Sequence, residues 1–487
     1  MARRIWFILL CCLPGCPGGQ DGSPPGPPAP VGVPPFALGT PDLVLLITGG
    51  GNGMMEVCNC SGPMPGGLAR RSGLVLSYRS AFPSTFVLDA GDAFWITGDD
   101  VRNEYLLHAY RQIGYDSLVL GDQEWSASPA RLRKMLSPGP MEYLSTTVGL
   151  ALSSVERAAA TSSAPASSQA VEGGQAPLAR AVKRDFGSVK LAVLCDLPRR
   201  SLLFLPNEQL RAMTFAGPEE LARQVRELHR DGYVVVVVCH GDDEAMKATA
   251  DACLSAAGGG SCPVDLFIRG HAAKPARELL TVAGRPVVKV GGSEYVTALA
   301  MKLGPDGRIG GLEQRLEVVD QRWPIDGRLI RTYQAYCGVA MREALGAARQ
   351  KGLDYVPSDQ CGKCHVAQYQ RWAKTEHAGA YEPLVKVKRT GDPSCLTCHT
   401  TGFGTENGFH TLQETPKLAG VNCQDCHRFD MSRHSPGSAF RPPRPAQYTC
   451  QTCHTPVTDP RFDFSAKLPK VACPSTRPAG PVVPRRP

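Results

Sequence analysis

The 487-residue sequence has no apolar run long enough to cross a membrane: its longest, residues 5–13 and 233–239, fall short of the roughly 20 residues a spanning helix needs. It also has no block of like charge. The formal balance of 53 basic and 45 acidic residues, +8, is scattered along the chain, so nucleic acid is not implied. With 43% hydrophobic and 20% charged residues the composition excludes a disordered chain, and the length points to two or more domains.

What the sequence has in excess is cysteine, 19 in all, and the positions decide between disulfide scaffold, metal protein and haem protein. Cys11, Cys12 and Cys16 sit at the N-terminus, where Arg3 and Arg4 precede the apolar run Ile5 to Leu13, the pattern of a secretion signal over residues 1–16. Leu13-Pro14-Gly15-Cys16 resembles a bacterial lipobox, in which Cys16 would be acylated and anchored to lipid; the alternative is simple cleavage nearby, releasing a soluble protein. Residues 17–41, rich in Gly and Pro, read as a tether.

From Asp42 to about residue 320 short apolar runs alternate with helix-like stretches: Leu43–Thr48, Thr85–Leu88, Ser117–Leu120, Leu191–Leu194, Val234–Val238, Leu266–Ile268 and Val287–Val290. That alternation predicts an α/β domain. Gly217-Pro218-Glu219-Glu220 opens a helix that Gly232 closes. The Ser/Ala-rich residues 152–180 read as a mobile insertion.

The C-terminal quarter carries four sites of one pattern: Cys361-Gly-Lys-Cys364-His365, Cys395-Leu-Thr-Cys398-His399, Cys423-Gln-Asp-Cys426-His427 and Cys450-Gln-Thr-Cys453-His454. This is the c-type haem attachment motif, expected by chance about 0.02 times in such a chain. The cysteines form thioethers to the haem vinyl groups, and the adjoining histidine is the proximal iron ligand. Zinc would explain paired thiolates but not why every pair ends in histidine. Four covalent haem c groups are therefore predicted, with propionates that roughly offset the +8 charge. So many macrocycles in so short a segment must supply most of its buried apolar surface. The distal side decides between electron transfer and ligand activation, and after residue 271 only His377, His410 and His434 lie outside the motifs: three candidates for four irons. Met431 is a weaker candidate, and Trp372 and Tyr381 are expected to pack on haem faces.

Gln360 to His365, Trp372-Ala-Lys-Thr-Glu-His377, Cys395 to Gly404, and Gly420 to His427 with His434 behind it resemble the tetrahaem cytochrome c five-five-four family over residues 355–470. The resemblance implies electron relay, distal ligation by His377 and His434, and tolerance of one five-coordinate haem. Where that family has glycine after the third motif, this chain has Arg428.

A second resemblance covers residues 42–305. Gly66-Gly67-Leu-Ala-Arg-Arg71, Leu88-Asp-Ala-Gly-Asp92, Gly114 to Glu124, Cys239-His240-Gly241 and Arg269-Gly-His271 are similar, in order, to the metallophosphatase domain of secreted 5′-nucleotidases. An αββα sandwich holding two metals at strand ends is implied. The family's opening Asp-x-His is here Gly50-Gly51-Asn52; its Asn-His-Glu is Asp122-Gln123-Glu124; its last histidine is Ala273. One metal site is thus dismantled, while Asp92, Asp122, His240 and His271 remain as donors for one divalent metal, zinc, manganese or iron; the alternative is inherited strand-end residues without metal. Hydrolysis with paired cations should be lost.

Eight further cysteines, Cys58, Cys60, Cys195, Cys239, Cys253, Cys262, Cys337 and Cys473, suggest disulfides, with Cys253–Cys262 as the best local pair. Leu329, Tyr333, Tyr336 and Ala340 recur at helical spacing within a connector over 321–353. The sequence therefore predicts a degenerate metallophosphatase-like α/β domain (42–320), a mainly helical and irregular tetrahaem cytochrome c domain (354–472) and a disordered tail (473–487). The expected role is that of an exported electron carrier, periplasmic or membrane-anchored on the extracytoplasmic side, serving redox partner proteins. The alternatives are a haem enzyme converting a small nitrogen or sulfur species at one five-coordinate haem, and residual phosphoesterase activity.

Overall fold

A computed structural model describes residues 26–57, 64–96, 100–136, 138–150, 178–256, 258, 260–347, 353–434, 440–455, 458–459 and 461–474. The signal, the lipobox around Cys16, most of the Ser/Ala-rich insertion, Cys58 and Cys60, and the end of the tail lie outside the described residues.

Fifteen strands occur among the described residues. In chain order they are β1 (Leu43–Thr48), β2 (Thr85–Asp89), β3 (Ser117–Val119), β4 (Glu142–Leu144), β5 (Val148–Leu150), β6 (Leu178–Ala179), β7 (Val182–Asp185) and β8 (Lys190–Asp196). They continue with β9 (Met213–Phe215), β10 (Val234–Cys239), β11 (Leu266–Arg269), β12 (Leu280–Val282), β13 (Arg285–Lys289), β14 (Tyr295–Leu303) and β15 (Ile309–Val318). One sheet has the order β15-β14-β1-β2-β3-β4-β6, the other β12-β13-β11-β10-β8-β7, and β5 pairs with β9 separately.

Alternation of side chains along the central strands shows how the sheets stack. Leu43, Leu45 and Ile47 of β1 share a core with Val234, Val236 and Val238 of β10, the layer between the two sheets. Val44 and Leu46 face the other way, against the helices Leu68–Ala81 and Asp100–Ile113. Val235 and Val237 face the helices Pro218–Arg230 and Asp243–Ser255. An αββα sandwich follows, with the unbroken apolar runs explained by burial on both faces.

Each strand expected from the sequence falls on an observed one. The antiparallel pair β14 and β15 has no counterpart among those expectations: β15 carries Gly310, Gly311 and four charged or amide side chains, and it lies at the sheet edge with every residue but one half-buried. The tether reading of 17–41 needs correction in its second half. Phe36 is buried in the core under the Arg315 guanidinium, whose Nη atoms donate to the Pro34 and Pro35 carbonyls at 2.8 and 2.6 Å. The expected Cys253–Cys262 disulfide is also corrected: both are buried free thiols, packed as small apolar groups in the helix-covered core.

The connector is the helix Gly327–Ala347, which packs Leu329, Tyr336 and Cys337 into the first domain. Past residue 353 the elements are short, and the buried apolar cluster there is Tyr381, Leu384, Leu396, Phe409 and Leu418. Leu45→Ala, between the sheets, is expected to destabilise the first domain by about 2–5 kcal/mol; denaturant unfolding followed by tryptophan fluorescence checks it.

Candidate functional site

Each haem motif forms a single helical turn, which puts the two sulfurs and the imidazole on one side. His365 N donates to Cys361 O at 2.8 Å and His454 N to Cys450 O at 2.9 Å. The second and third motifs lie on the helices Pro393–His399, capped by the Asp392 carboxylate, and Cys423–His427, capped by Asn422. Arg428 ends the latter at φ 40°, the left-handed region that glycine occupies at no steric cost, which accounts for the expected glycine there.

Tertiary folding pairs the motifs. The Cys361 and Cys423 thiols are in contact, as are Cys398 and Cys453, so motifs one and three adjoin and motifs two and four adjoin. A cavity of about 2090 Å³ is bordered by Cys395, Cys398, His399, Cys450, Cys453 and His454. Nδ1 of His399 bonds the Ala380 carbonyl, Nδ1 of His427 the Pro443 carbonyl at 3.1 Å, and Nδ1 of His454 the Asp459 carboxylate at 2.9 Å. Such partners orient an imidazole and leave Nε2 for a metal.

His434 lies against His365, ring centroids 5.8 Å apart and planes within 20° of parallel, and His377 lies 6.2 Å from His454. Burial, with His454 beside it, lowers the pKa of His377 and favours its neutral, ligating form. His410 stands apart: its Nε2 is 3.2 Å from the Thr405 carbonyl and its Nδ1 3.9 Å from Glu414. Among the described residues neither His399 nor His427 has an imidazole ring stacked against it. Trp372 donates to the Val421 carbonyl, and Tyr381 packs on Phe409.

In the first domain the four predicted donors converge at the carboxyl ends of parallel strands from both sheets, Asp92 after β2, Asp122 after β3, His240 after β10 and His271 after β11. Their ligand atoms lie within 4.8 Å of one another. Nε2 of His240 is 3.1 Å from Asp92 and 2.9 Å from Asp122, while its Nδ1 is fixed on the Ala90 carbonyl at 2.8 Å. Nδ1 of His271 is 3.0 Å from Asp92 and 3.1 Å from Asp122. A Cβ on Gly91 or Gly121 would come within 2.6 Å of the His240 ring, so the glycines make room for it. Two imidazoles and two carboxylates suit a single divalent transition metal.

Glu124 has a role that its place in the sequence does not reveal. Its buried carboxylate accepts the backbone N–H groups of Asp92, Ala93, Phe94 and Gly121 at 2.8–3.1 Å and so fixes the Asp92 turn. Burial, then the Asp92 charge, raise this carboxyl. The Asp122-Gln123-Glu124 signature marks the residue but not this role. A second missed feature joins the domains: Arg389 donates to the Val57 carbonyl at 2.8 Å and to Asp392 at 2.9 Å, and Tyr333 of the connector bonds the same Asp392. No sequence pattern marks it.

These two sites define an αββα sandwich joined to a c-type cytochrome segment. Residues 360–428 match the family model described as cytochrome c554 and c-prime. Cytochrome c-554 of Nitrosomonas europaea is 36% identical over 97 residues, covering 17% of this chain and 38% of that protein. The chain thus spans well under half the length of that curated relative. Among solved structures, a 5′-nucleotidase precursor from Thermus thermophilus is 16% identical, with 77% of this chain and 73% of that one covered at a TM-score of 0.49. The calcineurin-like phosphoesterase YfkN from Bacillus subtilis is 17% identical, with 60% and 96% covered at a TM-score of 0.46. The cytochrome match implies covalently bound haem. No helix among the described residues is long and apolar enough to cross a membrane.

Without a cation, hydrogen bonds to Asp122 and Asp92 raise the His271 imidazole to about 9 from 6.5. Its contribution to stability is present in full below pH 6.5 and is lost as pH rises through 9. An NMR titration of the cation-free protein should place this imidazole near 9, and cation affinity should rise with pH over the same range because ligation displaces the proton.

Proposed function

We propose that the protein is an exported, extracytoplasmic electron carrier with four haem c groups. They are attached at Cys361/Cys364, Cys395/Cys398, Cys423/Cys426 and Cys450/Cys453, with His365, His399, His427 and His454 as proximal ligands. The observation that carries this reading is the folding of all four motifs into one domain whose cysteines adjoin in pairs, beside two facing imidazole pairs. Adjoining attachment sites bring haem edges together, and His434 and His377 stand where they would complete the first and fourth irons.

A second reading is favoured by the position of His410, whose Nε2 is turned to a backbone carbonyl. On that reading the haems of His399 and His427 both lack a distal histidine, and one of them, five-coordinate, reacts with a small nitrogen or sulfur species. In the first domain one divalent cation is held by Asp92, Asp122, His240 and His271. Phosphoester hydrolysis is not supported, because Asn52 and Gln123 stand where a second cation's ligand and the acid/base histidine would be needed.

Intact mass of the purified holoprotein should show four added haems. Electron paramagnetic resonance, with and without nitric oxide, should then show His377→Ala and His434→Ala each converting one low-spin haem to a ligand-binding high-spin form. His410→Ala should leave the spectrum unchanged; a new high-spin signal from it would place a distal ligand at His410 and leave one haem of the four, not two, without a distal histidine.

A further inference from the structure

The loop after β1 touches both sites. Asn52 N donates to the carbonyl oxygen of Asp92, a cluster ligand, at 2.8 Å, and Asn52 Oδ1 accepts from Gln123, the neighbour of Asp122, at 2.6 Å. Asn52 also lines the cavity bordered by His399 and His454. Farther along the same loop, Val57 is tied by Arg389 to the capping residue of the second haem motif, Asp392. A ligand of the cation cluster is thus one backbone hydrogen bond from the wall of the haem cavity.

Backbone strain marks the same place. Asn52, Asp92 and His271 have φ of 47°, 60° and 48°, left-handed conformations that non-glycine residues adopt at a cost and that persist where surrounding structure enforces them. Half of the six such residues in the described structure lie at this junction. Asn52, at a position where a hydrolytic site would hold a ligand of a second cation, instead lines the cavity bordered by His399 and His454.

We propose that the cation cluster is a one-electron site coupled to the haems of the second and fourth motifs through the Asp92–Asn52–Gln123 contacts, and that it takes iron or manganese. This rests on the haem loading and single-cation binding proposed above. Carboxylate and imidazole donors suit both metals. The step moves one electron and no atoms: the cation passes from +2 to +3 while one ferric haem becomes ferrous, and the two aspartates offset the added charge.

The test uses the full-length, haem-loaded protein and manganese(II), whose amount elemental analysis separates from haem iron. The expected result is one manganese per chain, with faster electron-spin relaxation when the haems are ferric than when they are ferrous. Anaerobic iron(II) should then reduce haem by one electron per chain. Asn52→Gly, which suits the left-handed backbone and removes the Gln123 bond, should slow that reduction about threefold to tenfold with metal content unchanged. Stoichiometric manganese with relaxation indifferent to haem state, and no reduction by iron(II), would overturn the coupling and leave the cation site standing. Absence of stoichiometric metal would overturn both.

Discussion

The second half of the chain has to build a domain around very little apolar side-chain surface. Its buried apolar cluster is five residues, beside a cavity of about 2090 Å³ whose border includes attachment cysteines and histidines. Burial of apolar surface is the main favourable term in folding, so haem attached at those cysteines would supply what the side chains lack. The one-turn helices of the motifs follow from the same constraint. Each needs only enough backbone order to aim two sulfurs and one imidazole, and the caps at Asp392 and Asn422 provide it locally.

The first domain solves the opposite problem. Two sheets buried on both faces give it a core that needs no cofactor, and its parallel strands end together at one rim. That rim collects Asp92, Asp122, His240 and His271, and Glu124 beneath them holds four backbone amides in place. The loop that leaves the rim reaches the cytochrome segment. The connector helix fixes the approach by packing on the sandwich while its Tyr333 bonds Asp392 beside the second motif. The two halves are therefore joined through side chains as well as through the chain.

Several features were legible because local chemistry dictates them. Doubly buried strands such as Val234–Cys239 show as unbroken apolar runs, and the cysteine–histidine spacing admits few other uses. The edge strand Ile309–Val318 was hidden because half-burial and two glycines blur its period. Phe36 was hidden because one aromatic in a Pro/Gly stretch gives no periodicity, although it packs under Arg315.

The sequence by itself determined the attachment chemistry, the α/β pattern and the identity of the four cluster donors, since each depends on residue type at short spacing. Tertiary structure alone decided which imidazoles face each other, that His410 turns to the Thr405 carbonyl, and that Asn52 touches both the cation cluster and the haem cavity. Most of those contacts join residues far apart in the chain. Their geometry depends on how sheets, connector and short helices pack, and no local pattern encodes it.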